Sequence, residues 1–470
     1  MTVRLEDLQA CFQGVIPATM ATADAQGEPN VTYISQVYYV DPTHVALSCQ
    51  FFNKTRRNVA ENPYAAVDLW DPRTFELYRL ELRFDHLETA GALFDTMAAR
   101  IQVIASHSGM KGIFRLLSAD VYEVLSLRRV EEFVDPLADP PSEPTDWDPE
   151  SHRHPDPGEL SELRGLQAIS GKIARARARD LDELLTTTLA GLDELFTFSH
   201  SMVLVPDDRE CRLVAIASRG YGAEGVGAEI AIGDGVMGIA AAERRMIRVA
   251  GVGTEIRYGR TIRQRFADRE GQRDLAPEIP LPGLPDARAQ LALPLLAGDR
   301  LVGVLGFESR DPLAFDEWDE AFLQIVANQI AMGIDRMQED EEETAPVPVP
   351  RPPLAAPAEC DRRLRFVYFR KDETIFLGDE YLVRNVPAKI FWKILNQHQR
   401  EGRSEFSNRE LRLDPSLGLP GYKDNLESRL ILLRKRLLEK CPWVRMVPVR
   451  RGRFALEIES AVELVERDSA

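Results

Sequence analysis

The chain has 470 residues, a length at which one hydrophobic core gives way to several, so roughly two to four domains are expected. Its 44% hydrophobic and 28% charged content excludes disorder over most of the length. The net charge of -17, from 58 Lys and Arg against 75 Asp and Glu, excludes a uniformly basic nucleic-acid coat protein, because a negative surface repels phosphate. A local basic domain stays open.

The five cysteines, Cys11, Cys49, Cys211, Cys360 and Cys441, are odd in number, far apart and without Cys-x-x-Cys spacing. That pattern argues against a disulfide framework and a zinc ribbon. The start, Met-Thr-Val-Arg-Leu-Glu-Asp-Leu, carries acids where a signal peptide needs basic and then apolar residues. No uncharged apolar run approaches the ~18 residues of a membrane span. A cytoplasmic, reduced protein is expected.

Residues 135–158 hold seven prolines and seven acids in 24 positions, which prevents regular pairing and reads as a linker. The acidic run Glu339–Glu343 leads into six prolines between Pro346 and Pro357, so 339–360 reads as a second linker. Domains over 1–134, 159–338 and 361–470 follow. From 361 to 470 there are 23 Lys and Arg against 17 Asp and Glu, a local +6, which leaves -23 for residues 1–360. The acidity therefore belongs to the first two domains and the linkers.

In the first domain, runs rich in β-branched and aromatic residues predict strands over 30–40, 45–51, 65–70 and 120–127, with a helix over 87–104. Short strands with few helices suit a small barrel. The segment Ser48-Cys-Gln-Phe-Phe-Asn-Lys-Thr-Arg-Arg-Asn58 runs from a strand into a helix start, offering a cation, a hydroxyl and free backbone N–H groups to a phosphate. With the strand order, Asn62-Pro63 and the ending Phe114-Arg-Leu-Leu-Ser-Ala-Asp-Val-Tyr-Glu-Val124, it resembles the FMN-binding split barrels of the pyridoxamine 5'-phosphate oxidase-like superfamily over about residues 10–130. The resemblance implies that Lys54 and Thr55 hold the flavin phosphate, with Tyr33, Ser35, Ser48 and Gln50 near the ring or ribityl chain. The strand from Val31 to Val37 lacks the Arg and Lys of the true oxidases, and their C-terminal substrate pattern is missing, so oxidation of pyridoxamine phosphate is not expected. The same cations also suit a solvated helix start on a barrel that keeps its fold without flavin. His107 reads either as a haem or flavin contact or as a surface or capping histidine.

In the second domain, Leu181, Leu185, Leu189, Leu192 and Phe196 recur at helical spacing, as do Phe322, Ile325, Val326, Ile330 and Ile334. Strands are predicted over 201–205, 212–217, 290–296 and 301–307. Gly233-Asp-Gly-Val-Met-Gly-Ile-Ala240, Pro294–Leu305 and Phe315–Ile330 resemble a GAF domain, which implies an α/β sandwich that senses a ligand and dimerises through its flanking helices. The loop 251–287, with six arginines and four interspersed acids, reads as a cationic lid or as an ion-paired helix.

In the third domain, strands over 364–370 and 374–384 precede helices over 387–397, from 407, and over 422–440, then a bent strand pair over 444–456 about Gly452. Asn425–Leu437 and Arg445–Leu456 resemble the winged helix-turn-helix effector domains of OmpR-type regulators. Arg429, Arg436 and Lys440 share one helical stripe beside Leu426, Leu430, Leu433 and Leu437. They would meet DNA in the major groove, with Arg450, Arg451 and Arg453 reaching phosphate or minor groove from the wing. The run Leu430–Leu433 is apolar all round, which suits an interface, and a winged helix also binds proteins.

The expected architecture is multidomain α+β: a split β-barrel, a GAF α/β sandwich and a winged helix-turn-helix. The expected function is a ligand- or redox-sensing transcriptional regulator that holds FMN, dimerises through the helices flanking the GAF domain and binds DNA. Alternatives are a flavin-dependent oxidoreductase and an interaction scaffold. No catalytic triad, phosphate loop or metal cluster is read in the sequence.

Overall fold

A computed structural model describes residues 3–34, 36–50, 53–130, 159–176, 181–207, 211–221, 225–251, 283–284, 286–343, 363–417, 419, 426–450 and 452–468. The first linker, the 252–282 part of the arginine-rich loop, Ser35, Cys360 and Arg451 lie outside the described residues. The chain gathers into two compact units: residues 1–162, 230–294 and 304–324 form one, and 163–229, 295–303 and 325–470 the other.

The first unit holds seven antiparallel strands in the order β2-β1-β5-β6-β7-β4-β3. They are β1 (Ala18–Ala23), β2 (Pro29–Ile34), β3 (Val37–Asp41), β4 (His44–Cys49), β5 (Tyr64–Trp70), β6 (Leu77–Glu88) and β7 (Ser118–Arg129). Helix α1 (Asn53–Glu61) follows β4 and α2 (Ala92–His107) follows β6. β4 is buried from Val45 to Cys49 because the strand separates two cores. Val45 and Leu47 pack with Met20, Val67, Leu80 and Tyr122, while Ala46 packs with Met97, Ile101 and Ile104 of α2. Alternation along a strand sends successive side chains to opposite faces, so an unbroken apolar run is what such a strand requires.

The central segment supplies α3 (Glu159–Ala176), α4 (Leu181–Phe196), β8 (His200–Asp207), β9 (Arg212–Arg219), β10 (Glu229–Ala231), α5 (Gly235–Glu243), β11 (Ile247–Ala250), β12 (Ala289–Ala297), β13 (Arg300–Ser309) and α6 (Glu317–Glu343). Its sheet has the order β10-β9-β8-β13-β12-β11. At Gly238 in α5 a Cβ would fall 2.2 Å from the carbonyl oxygen of Ala231, so only glycine lets the helix pass its own entry strand.

The C-terminal segment builds β14 (Arg363–Phe369), β15 (Thr374–Leu377), β16 (Glu380–Arg384), α7 (Asn385–Glu401), β17 (Glu405–Ser407), α8 (Asn408–Arg412), α9 (Leu426–Lys440), β18 (Val444–Arg450), β19 (Arg453–Ile458) and β20 (Ala461–Arg467). Two small sheets, β16-β15-β14-β20 and β17-β19-β18, flank one core. Phe366, Phe391, Leu426, Leu430, Leu433 and Phe454 meet there. Ser407 caps α8, its hydroxyl accepting the Glu410 N–H at 3.2 Å.

Several boundaries differ from the sequence reading. The run 30–40 is two strands, β2 and β3, and 374–384 is two, β15 and β16, the latter broken at Gly378 with φ of +61°. Leu87 belongs to β6, and the helix predicted from 87 begins at Ala92 after Gly91. Helix α6 runs on to Glu343, so it takes in the acids Glu339–Glu343 at the start of the expected linker. The strands β1, β6, β10, β11, β17 and β20 and the helix α5 were not expected.

Candidate functional site

Two places collect the residues singled out by the sequence. The first is a cavity of about 270 Å³ in the barrel unit. The end of β4 supplies Leu47, Ser48 and Cys49; α1 supplies Thr55, Arg56 and Val59; β6 and β7 supply Phe84, Leu87, Asp120 and Tyr122. The turn from β4 into α1 is what brings Ser48 and Thr55 to one wall, and both are buried.

Their polar groups are held from behind. Asn30 Nδ2 donates to Thr55 Oγ1 at 2.9 Å, and Gln50 Nε2 donates to Ser48 Oγ at 3.3 Å. The side-chain carbonyl oxygen of Gln50 is buried and has no hydrogen-bond partner among the described residues. A buried unpaired acceptor is costly, and a ligand donor would relieve that cost. Burial pushes the Asp120 carboxyl above the usual carboxylate range, opposed by the Ser118 hydroxyl, 2.6 Å away, and by the charge of Arg56. Burial likewise raises the Cys49 thiol, and Asp120 adds to it.

Of the six residues expected near flavin, Ser48 and Thr55 line this cavity and Gln50 stands directly behind Ser48. Lys54 turns outward and pairs with Glu28 at 2.8 Å. Tyr33 is 70% exposed on β2, and Ser35 is not described. Arg56, Asp120, Phe84 and Tyr122 were missed; only Arg56 had a local signal, standing next to Thr55. His107 is buried at the end of α2, outside the cavity lining; a Cβ added at Gly235 would lie 3.5 Å from its ring.

The second place is α9. Leu426, Leu430, Leu433 and Leu437 are buried in the C-terminal core. On the other faces, Arg429 lies 3.9 Å from Asp207, Arg436 pairs with Glu439 at 3.1 Å and Lys440 with Glu380 at 2.6 Å. Lys435, not singled out by the stripe, pairs with Asp182 at 2.8 Å. On the β18–β19 hairpin, Arg450 and Arg453 are register partners.

Among the described residues no cluster of three or more His, Cys, Asp or Glu could hold a metal ion, and no helix is long and apolar enough to cross a membrane.

Family comparison settles two of the three modules. Residues 5–127 match the pyridoxamine 5'-phosphate oxidase family, and residues 178–335 match the GAF domain family. The chain carries an oxidase-like barrel and a GAF domain. Among curated proteins nothing matches the chain. Solved structures with local similarity include the GAF domain of a phosphoenolpyruvate-protein phosphotransferase from Coxiella burnetii, at 19% identity over 39% of this chain and 98% of that one, TM-score 0.32. A free methionine-R-sulfoxide reductase from Neisseria meningitidis is 22% identical over 39% and 95%, TM-score 0.30. An FMN-binding protein from Syntrophomonas wolfei is 18% identical over 26% of this chain and 86% of its own, TM-score 0.22.

Proposed function

We propose that this chain is a cytoplasmic ligand- or redox-sensing regulator of transcription, in which the barrel takes FMN, the GAF domain takes a second signal and the C-terminal domain is a winged helix that binds DNA. The carrying observation is the union, in one chain, of two ligand-binding module types with a C-terminal segment of opposite charge, +6 against -23. Such a segment suits a polyanion.

The barrel residues fit a flavin by their chemistry. The cavity is mostly apolar, as a flat ring system needs, and presents the Ser48 and Thr55 hydroxyls and the Arg56 guanidinium. Its size lies near the lower end of ligand pockets, which span about 300–1,000 Å³, so it suits a ring-sized part of the ligand. The unpaired Gln50 carbonyl oxygen would accept a ring N–H. Thr55 and Arg56, rather than Lys54 alone, would hold phosphate. FMN, when bound, supplies a reversible redox centre. A homodimer through the GAF flanking helices agrees with Ile325 and Met332, two turns apart and both exposed on α6.

The reading is tested by titrating the full chain with FMN while following flavin fluorescence. Quenching that saturates, and that weakens in Ser48→Ala and Thr55→Val, is expected; a chain that takes up no FMN removes the flavin part. Binding of duplex DNA should weaken steeply with salt.

A further inference from the structure

Within the second compact unit, the cation-bearing side of α9 lies on acids of the central segment. Lys435 Nζ stands 2.8 Å from Asp182, at the start of α4, and donates to the Ile216 carbonyl oxygen of β9 at 2.9 Å. Arg429, its side chain only 10% exposed, faces Asp207 at the end of β8. The Arg436 guanidinium lies so close to the Gly227 backbone that a Cβ there would fall 2.6 Å from it. Beside α9, Arg384 of β16 pairs with Glu229, which Arg212 also reaches at 3.2 Å.

A recognition helix packs one side on its own domain and leaves the other free for the groove. In α9 both sides are covered: α7, α8, β16 and β18 take one, α4 and β9 the other. Of its 15 residues only Leu438 and Glu439 are exposed. The occupants of the second side are carboxylates and a carbonyl oxygen, the same acceptor chemistry that DNA phosphates and base edges present to Arg and Lys. The Lys435–Asp182 and Arg384–Glu229 pairs are partly solvated and weak by themselves, and the more buried Arg429–Asp207 pair is long at 3.9 Å, so such a contact can open without unfolding.

We propose that this contact is an autoinhibitory latch: Asp182, Asp207 and Glu229 occupy the cationic face in place of DNA, and the chain binds DNA only when that face leaves the central segment. The proposal rests on reading the C-terminal domain as a DNA binder. Because α4, β8 and β9 belong to the GAF domain, a GAF ligand opens the latch to the extent that it binds the open form better.

The test uses the full chain and an Asp207→Asn, Glu229→Gln variant, which leaves Lys435 and Asp182 intact. A carbodiimide cross-link between Lys435 and Asp182 reports the closed form, and anisotropy of a short random-sequence duplex at low salt reports DNA binding. The cross-link yield should fall several-fold in the variant and in the unmodified chain with saturating duplex. The variant should bind duplex about tenfold more tightly, as expected if opening raises the competent fraction from about a tenth to near unity. If the chain binds duplex while the cross-link yield stays unchanged, the latch is overturned and the DNA reading stands. If the yield falls in the variant and neither chain binds duplex, the DNA reading fails and the latch falls with it.

Discussion

In the barrel, Ser48 and Thr55 line a space, and the Gln50 carbonyl oxygen next to them has no partner among the described residues. On α9, Arg429, Lys435 and Lys440 each face a carboxylate already present in the chain. The first arrangement is short of a hydrogen-bond donor and the second is not short of charge. A cavity with an unpaired acceptor gains by taking a ligand outright, whereas a matched cationic face gains only by exchanging one set of anions for another. A cavity and a paired cationic face therefore leave different marks, and five substitutions separate them.

The largest difference is expected in packing. Leu433, 0% exposed, sits in a filled core, so Leu433→Ala should cost about 2–5 kcal/mol, read as a lowered urea midpoint. Val59→Ala removes two carbon groups from a wall that already borders empty space and should cost only about 1.5 kcal/mol. Equal losses would mean that the barrel space is not a cavity in solution.

Gln50→Leu removes the unpaired acceptor together with the hydrogen bond to Ser48, so stability should change by less than about 1 kcal/mol. FMN affinity should fall about tenfold, the worth of one hydrogen bond. A large stability loss with unchanged affinity would show that the residue serves the fold instead.

Asp120 gives the barrel a pH signature. Its folded pKa is raised by burial, so the native state holds the proton more tightly than the unfolded chain does. The resulting stability is fully present below the unfolded value near ~3.9 and is lost as pH rises through the folded one. Asp120→Asn should therefore raise the melting temperature by about 2–4 °C near pH 7 and leave it unchanged near pH 3. A rise of equal size at both pH values would place the effect outside ionisation.

Much of this was legible in the residues, and the gaps have physical causes. The apolar spacing of α4 and α6, the strand runs and the Ser48-to-Asn58 turn are local patterns, and local patterns survive in one dimension. β6 was missed although Tyr78, Leu80 and Leu82 are buried in the barrel core, because the charged Arg79 and Arg83 interrupt the apolar run and their partners, Asp68 and Glu123, come from neighbouring strands. β1 is built of Ala, Thr and Met and carries little strand propensity of its own. The cavity wall from Phe84 to Tyr122 depends on β6, β7 and β4 lying side by side, which no spacing within one segment shows. The charge split between the first 360 residues and the rest was visible; which acids meet α9 was not.

The smallest predicted effect bears on the one flavin candidate that the two regions treat alike. Lys54, like the cations of α9, already has a carboxylate partner, Glu28 at 2.8 Å, and both side chains are largely solvated. Glu28→Gln should therefore move stability by no more than about 0.5 kcal/mol, because exposed pairs contribute little. Its effect on FMN depends on where Lys54 works. If the ammonium reaches the phosphate, releasing it strengthens FMN binding two- to threefold at low salt, on the order expected for one exposed charge, and the gain disappears as salt screens it. If Lys54 only decorates the helix start, FMN affinity and its salt dependence stay as they are, and phosphate binding falls to Thr55 and Arg56 at the cavity wall.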